Sequence, residues 1–323
     1  MADSNAAHAA RGGTAALPVP ENDVAMSRFT LRFSVGERTV LKATRSVGAQ
    51  EASLLELLEQ RPPPVHDLPD GVIYRSMPVG MLAGLNLGPS RIVYRREAYP
   101  RYFTDLGGTF DAYLAAMSGN ARSTLRRKVK AYAKSCGEPD FREYRTPPQL
   151  AEFFELASLL SKRTYQHRRL NAGLPDSAAF RSEALAKAAR DEIRAYLLFH
   201  NGRPVSYLYA PSDKGVVVYD RLGYDPDYAQ HSVGAVLQFE VMNRLFGEGR
   251  WRYFDFTPGD GQHKRQFATG SVECADVLIL PNSAANRALV GAHRSFCAAV
   301  ERAGAWAERH GARTRLRRLL RGV

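Results

Sequence analysis

The sequence predicts an α+β fold, a mixed and mostly antiparallel sheet with helices on both faces, preceded by a smaller α+β unit. Three observations carry this prediction. From residue 121 the element order reads helix, strand, helix, helix, three strands, helix, strand, loop, strand, helix, which is neither a regular βαβ repeat nor a barrel. Asn201-Gly202, set between two apolar runs, is the strongest local hairpin signal in the chain. Neither a GxGxxG nor a Walker sequence is present, so a doubly wound nucleotide fold is disfavoured.

The elements follow in order. Residues 28–35 and 38–43 alternate in polarity and predict a hairpin around Gly36-Glu37. Ala52–Leu58 suggests a short helix ended by Pro62-Pro63-Pro64, and Val72–Arg75 and Arg91–Arg96 read as strands. Thr109–Met117 reads as a short helix. Ala121, Leu125, Val129, Tyr132 and Ala133 then recur at helical spacing, with Arg122, Arg126 and Lys130 on another face. A strand is expected at Phe141–Arg145. Pro147-Pro148 opens a helix to about Arg168, because proline suits a first helical turn. Another helix covers Ser177–Asp191, with Ser177 or Asp176 as cap. Strands are expected at Arg194–His200, Val205–Pro211 and Gly215–Leu222, a helix at Val233–Phe246 and a strand at Arg250–Phe256. A polar loop at Thr257–Thr269, a strand at Val272–Leu280 and a long helix at Ser283–Leu320 complete the chain. The expected organisation is a flexible leader at 1–25, a small α+β unit at 26–108, the main domain at 109–282 and a basic terminal helix at 283–323.

With 323 residues, 45% of them hydrophobic, the chain can bury a sizeable core. Cys136, Cys274 and Cys297 are far apart and form no CxxC pair, which argues against a zinc knuckle, an iron–sulfur cluster or a disulfide framework. His167 has no metal-spaced partner, and no metal is expected. No run of 18 apolar residues predicts a membrane span, and the start lacks the pattern of a signal peptide, so a cytoplasmic protein is expected. The net charge of +12 sits in two tracts. Ser118–Lys134 holds six basic residues and no acid, and Arg309–Arg321 holds six arginines and no acid. Such tracts attract phosphates, nucleic acid or an anionic surface, or serve as solvated helix faces.

Two stretches bear candidate chemistry. In Gly215–Leu237 a strand feeds a loop and then a helix opening with Ser232, Val233, Gly234 and Ala235. Free amides at a helix start cradle phosphate, and Ser232 is equally a good ordinary cap. Tyr219, Asp220, Tyr224 and Asp225 near the sheet edge can orient an amine or simply pack. In Tyr253–Phe267, Asp255 lies in a largely buried strand, where a carboxylate needs a partner. Asp260, His263, Lys264 and Arg265 follow in the polar loop. His263 suits a base near neutral pH, and Lys264 and Arg265 suit phosphate.

The order of these motifs resembles the GNAT superfamily of acyltransferases, and within it the CelD-like branch related to the FemAB peptidoglycan aminoacyltransferases. The matching pieces are Ser123-Thr124-Leu125-Arg126-Arg127, Arg203-Pro204-Val205-Ser206, Tyr224-Asp225-Pro226-Asp227-Tyr228, Ser232-Val233-Gly234, Phe254-Asp255-Phe256 and Gly259–Phe267. His263 stands where that branch commonly has tyrosine. Gly234 and Ala235 are adjacent, unlike the usual spaced phosphate motif. The resemblance spans about residues 110–280 and leaves 26–108 as a candidate shortened second GNAT-like unit.

The resemblance implies transfer of an acyl group, acetyl or longer, from acyl-CoA to a primary amine of a small molecule or cell-envelope precursor. The amine attacks directly, with no covalent enzyme intermediate. Asp255 and His263, then Asp260 and Tyr219, are the candidate bases. A strand-end amide near Leu222 is the candidate oxyanion donor. Ser232–Ala235 is the expected pyrophosphate site, with Lys264 and Arg265 as further phosphate contacts. An aminoacyl-tRNA donor of FemAB type and a non-catalytic nucleic-acid-binding protein are the alternatives. The apolar stripe of the last helix allows a homodimer.

Overall fold

The computed structural model describes residues 26–309 apart from 37, 62–63, 67, 86 and 165–172. The expected leader, His167 and the second basic tract beyond Arg309 lie outside the described residues. Strands β1 (Met26–Val35), β2 (Arg38–Glu51), β3 (Val72–Pro78), β4 (Arg91–Asp105), β5 (Asp140–Tyr144), β6 (Ile193–His200), β7 (Arg203–Asp213), β8 (Val216–Val218), β9 (Arg221–Tyr224), β10 (Tyr253–Pro258) and β11 (Gly270–Pro281) make one sheet. Its order is β1-β2-β3-β11-β4-β10-β8-β7-β6-β5, with β9 also on β7. Among the described residues only β2–β3 and β8–β10 pair in parallel. The mixed, mostly antiparallel architecture expected from the sequence is the one observed.

The helices are α1 (Leu54–Leu58), α2 (Phe110–Ala116), α3 (Gly119–Cys136), α4 (Pro147–Arg163), α5 (Ala178–Ala189), α6 (Val233–Glu248), α7 (Gln262–Phe267) and α8 (Ala284–Arg309). Strand alternation divides them between the two faces. Ala195, Leu197, Phe199, Tyr207 and Tyr209 face α4 and α5, where Leu150, Phe153, Phe154, Ala157 and Leu160 form the helix's buried stripe. Tyr196, Leu198, Leu208 and Ala210 face α2, α3 and α6 through Leu114, Leu125, Val236, Leu237 and Val241. A fully buried phenylalanine such as Phe153 contributes about 1.5–3 kcal/mol.

Several expectations change. The boundary at 108/109 does not divide the sheet, because β4 is hydrogen-bonded between β11 and β10. The single strand expected at Gly215–Leu222 is two, β8 and β9, bent at Tyr219-Asp220. The expected polar loop after β10 contains α7, whose Phe267 is buried in the core. The apolar stripe of α8, read as a means of dimerisation, packs inside the chain over its first half. Leu289 and Val290 cover β1 and β4, and Phe296 meets Phe33 edge-on at 5.4 Å.

Candidate functional site

The bend between β8 and β9 opens the sheet. β8 pairs with β10 as far as Val218 and Asp255, and the Tyr219 amide still donates to the Asp255 carbonyl oxygen at 2.8 Å. Beyond that point β9 stays on β7, while β10 turns toward β4 and pairs Pro258 with Arg101. Gly223 is what lets β9 lie so close to its neighbours. A Cβ there would stand 2.4 Å from Tyr207 Cε1 and 2.8 Å from Thr164 Cγ2.

The chain then turns back into α6. Asp225 is buried and builds this turn. Its amide donates to Val205 O at 2.9 Å, its carboxylate accepts from the Asp227 amide at 3.1 Å, and Arg163 Nη1 lies 3.1 Å from it. Asp225, weighed as a group to orient an amine, is therefore a turn anchor. Ser232 ends the turn in the left-handed region at φ 54°, ψ 34°, which costs a serine about 1–2 kcal/mol. Its hydroxyl makes no capping bond. Its carbonyl accepts from the amides of Ala235 and Val236, leaving those of Val233 and Gly234 without a partner among the described residues. Ser232 is thus not the ordinary cap that its residue type allows.

These amides border a cleft of about 440 Å³ between α6 and α7. Tyr219, Leu222 and Tyr224 form its sheet side, Ser232–Ala235 and Gln238 its α6 side, Gln262, His263 and Gln266 its α7 side, and Lys128 approaches from α3. Seven of the residues singled out from the sequence therefore meet here: Tyr219, Tyr224, His263, Ser232, Val233, Gly234 and Ala235. The ring centroids of Tyr219 and His263 are 5.8 Å apart. His263 is reached by solvent from the cleft, yet the protein packed around it, and next the charge of Lys264, lower its pKa below the ordinary 6.5. It is thereby neutral and able to accept a proton at neutral pH. Burial raises the pKa of Tyr219 well above the ordinary tyrosine value, so its hydroxyl stays protonated.

Four expected site residues stand elsewhere. Asp255, 1% exposed, is held by Arg101 through Nη2 to Oδ2 at 2.6 Å and Nε to both oxygens at 3.2 Å, and also accepts from the Thr257 amide at 2.8 Å. Its lone pairs are occupied inside the protein, so the partner that a buried carboxylate requires is Arg101. Asp260 accepts from the Tyr102 hydroxyl at 3.2 Å and faces Arg265 Nε at 3.4 Å, on a different surface depression. Lys264 is buried and donates to the carbonyls of Thr257 at 3.1 Å and Pro258 at 2.9 Å, which ties α7 to the end of β10. Neither Lys264 nor Arg265 lines the cleft. The cation that does, Lys128, was counted only as part of a basic tract. Gln238 was also missed, although a polar residue within the run of Val236, Leu237, Val241 and Met242 is the signal that would have found it.

Residues 119–265 match the family model described as an acetyltransferase (GNAT) domain. Over this segment the chain is similar to that family. The segment contains the whole cleft apart from Gln266 and Phe267, the last two of its lining residues. No curated protein matches the chain. Solved structures similar to it include a conserved protein of unknown function from Bacteroides thetaiotaomicron, with 14% identity, 66% of this chain and 70% of that one covered, and a TM-score of 0.46. L-PGS from Bacillus licheniformis is similar at 14% identity over 69% and 72% of the two chains, with a TM-score of 0.45. FemX is similar at 10% identity over 82% and 90%, with a TM-score of 0.45. Among the described residues no helix is long and apolar enough to cross a membrane. Among the described residues no group of three or more His, Cys, Asp or Glu is placed to hold a metal.

Proposed function

We propose that the protein is an N-acyltransferase that moves an acyl group from acyl-CoA to a primary amine. The observation that carries this reading is the start of α6, where two unpartnered amides, Val233 and Gly234, border the cleft opened by β8–β9 and β10. Amides at a helix start, next to Lys128, suit a diphosphate. Gly234 leaves room for it, since even an added Cβ there would meet nothing closer than 3.5 Å.

When bound, the donor supplies a thioester carbonyl; the protein supplies proton transfer and charge stabilisation. His263, neutral at physiological pH, takes the proton of the attacking nitrogen. A nitrogen–carbon bond forms while the carbon–sulfur bond breaks, and Tyr219, kept protonated by burial, gives its proton to the sulfur. Tyr219's own amide is bound to Asp255 O, so the strand-end donor for the developing oxyanion lies further along, near Leu222, which lines the cleft. Asp255 and Asp260 take no part in this reading. A cytoplasmic location, where acyl-CoA is available, goes with it.

A second reading keeps acyl transfer and draws the acyl group from aminoacyl-tRNA. It is favoured by the groove on the outer face of α3, about 630 Å³ in volume and bordered by Arg122, Arg126, Arg127, Lys130 and Lys134. Thermal-shift measurements with acetyl-CoA, long-chain acyl-CoA, free CoA and aminoacyl-tRNA separate the two, because a ligand of the native state raises the midpoint. The acyl-CoA reading expects a rise with every CoA species. A rise with aminoacyl-tRNA alone favours the second reading, and salt-sensitive RNA binding without any acyl transfer would reject both.

A further inference from the structure

Gln238 is a polar side chain in an apolar place. It lies on α6, is 3% exposed, and lines the cleft. Among the described residues neither its amide nitrogen nor its amide oxygen has a hydrogen-bond partner, and both are shielded from water. Leaving a buried donor and a buried acceptor unsatisfied destabilises the empty protein, and apolar residues fill the adjacent helix positions without that penalty. Gln238 stands four residues after Gly234, about 6 Å further along the same helix face at 1.5 Å per residue. Across the cleft, His263 and Gln266 face it from α7.

We infer that Gln238 binds the amide-bearing arm of the acyl donor, one helical turn beyond the diphosphate. This rests on the acyl-CoA reading and extends it. The chemistry distinguishes the arm from the other parts of the ligands. A diphosphate offers only acceptors, an acyl chain offers neither donor nor acceptor, and an amine offers no carbonyl. The arm between the diphosphate and the thioester carries secondary amides, which offer both an N–H and a C=O. Rotation of the Gln238 side chain turns its amide toward an arm lying in the cleft and satisfies both ends at once. The polar residue kept in the apolar stripe is then a ligand contact whose full complement of hydrogen bonds forms only in the complex.

The test is calorimetric binding of two probes, CoA and adenosine 3′-phosphate 5′-diphosphate (CoA without the arm), to the wild-type chain and to Gln238→Leu. The variant is expected to bind CoA about tenfold more weakly, as loss of one or two hydrogen bonds requires, and the armless probe unchanged. Its unliganded Tm is expected to equal or exceed that of the wild type. Equal CoA affinity in both proteins overturns the role of Gln238 alone. Equal weakening of both probes also overturns it, because the effect is then structural. Failure of the wild type to bind either probe overturns the acyl-CoA reading and this inference together. Should Gln238→Leu fold poorly, Gln238→Met carries the same expectations.

Discussion

Helices α5 and α6 each begin at a serine. Ser177 has extended backbone angles, and its hydroxyl accepts from the Phe180 amide at 3.3 Å, closing the first turn of α5. Ser232 has left-handed angles, its hydroxyl caps nothing, and two amides of α6 are left open. The same division runs through the surroundings. On the β4–β10 side a buried charge is fully paired, Asp255 with Arg101. On the cleft side the side chains of Gln238 and His263 have no hydrogen bond among the described residues. Local chemistry is satisfied within the protein where it holds the fold and left open along the cleft. A serine at a helix start is consequently no guide to function until its backbone angles are known.

The largest expected effect lies on the closed side. Arg101→Ala strands the Asp255 carboxylate and should reduce unfolding free energy by about 3–5 kcal/mol in urea titrations, with residual activity following the folded fraction. An equally stable variant would contradict the structural role of the pair. On the open side, His263→Ala should lower kcat by about 10²–10⁴-fold while leaving Tm in place. On the proposed reading the neutral form of His263 is the active one, and its pKa is depressed by burial and Lys264. The acid limb of kcat/KM against pH should therefore fall below the usual histidine range, with full activity held through neutrality. A limb above pH 7 would remove His263 as the base.

Smaller effects sharpen the contrast. Gly223→Ala sets a Cβ against Tyr207 and Thr164 and should destabilise by about 1–3 kcal/mol, while also shifting β9 and weakening donor binding. Ser177→Ala should cost about 1 kcal/mol for the lost cap. Ser232→Gly should stabilise by up to about 1 kcal/mol, since glycine accepts the left-handed conformation without strain. If both serine variants destabilise alike, the two helix starts are equivalent and the comparison fails.

The fold was legible where side-chain periodicity is local. Ala121, Leu125, Val129 and Tyr132 announce α3, and Asn201-Gly202 announces the β6–β7 hairpin. Strand partners far apart in sequence were not legible, so nothing in β4 foretold its place between β10 and β11. The second half of β2, with the polar run Thr44–Glu51, was missed because its pairing with β3 is parallel and its first half is mostly exposed. Of the residues singled out by type, the Ser232–Ala235 turn, Tyr219 and His263 lie together at the cleft. Asp255 was placed among the bases because its partner, Arg101, lies 154 positions away. Lys128 was visible only as charge, since which face of α3 meets the cleft depends on how that helix packs against α6.

The most direct measurement is a crystal structure of the protein with acetyl-CoA. The account predicts diphosphate oxygens within hydrogen-bond distance of the Val233 and Gly234 amides, with the arm running past Gln238 toward His263 and Tyr219. A coenzyme lying instead in the Arg122–Arg126–Lys130 groove, or a cleft left empty at saturating acetyl-CoA, would contradict it.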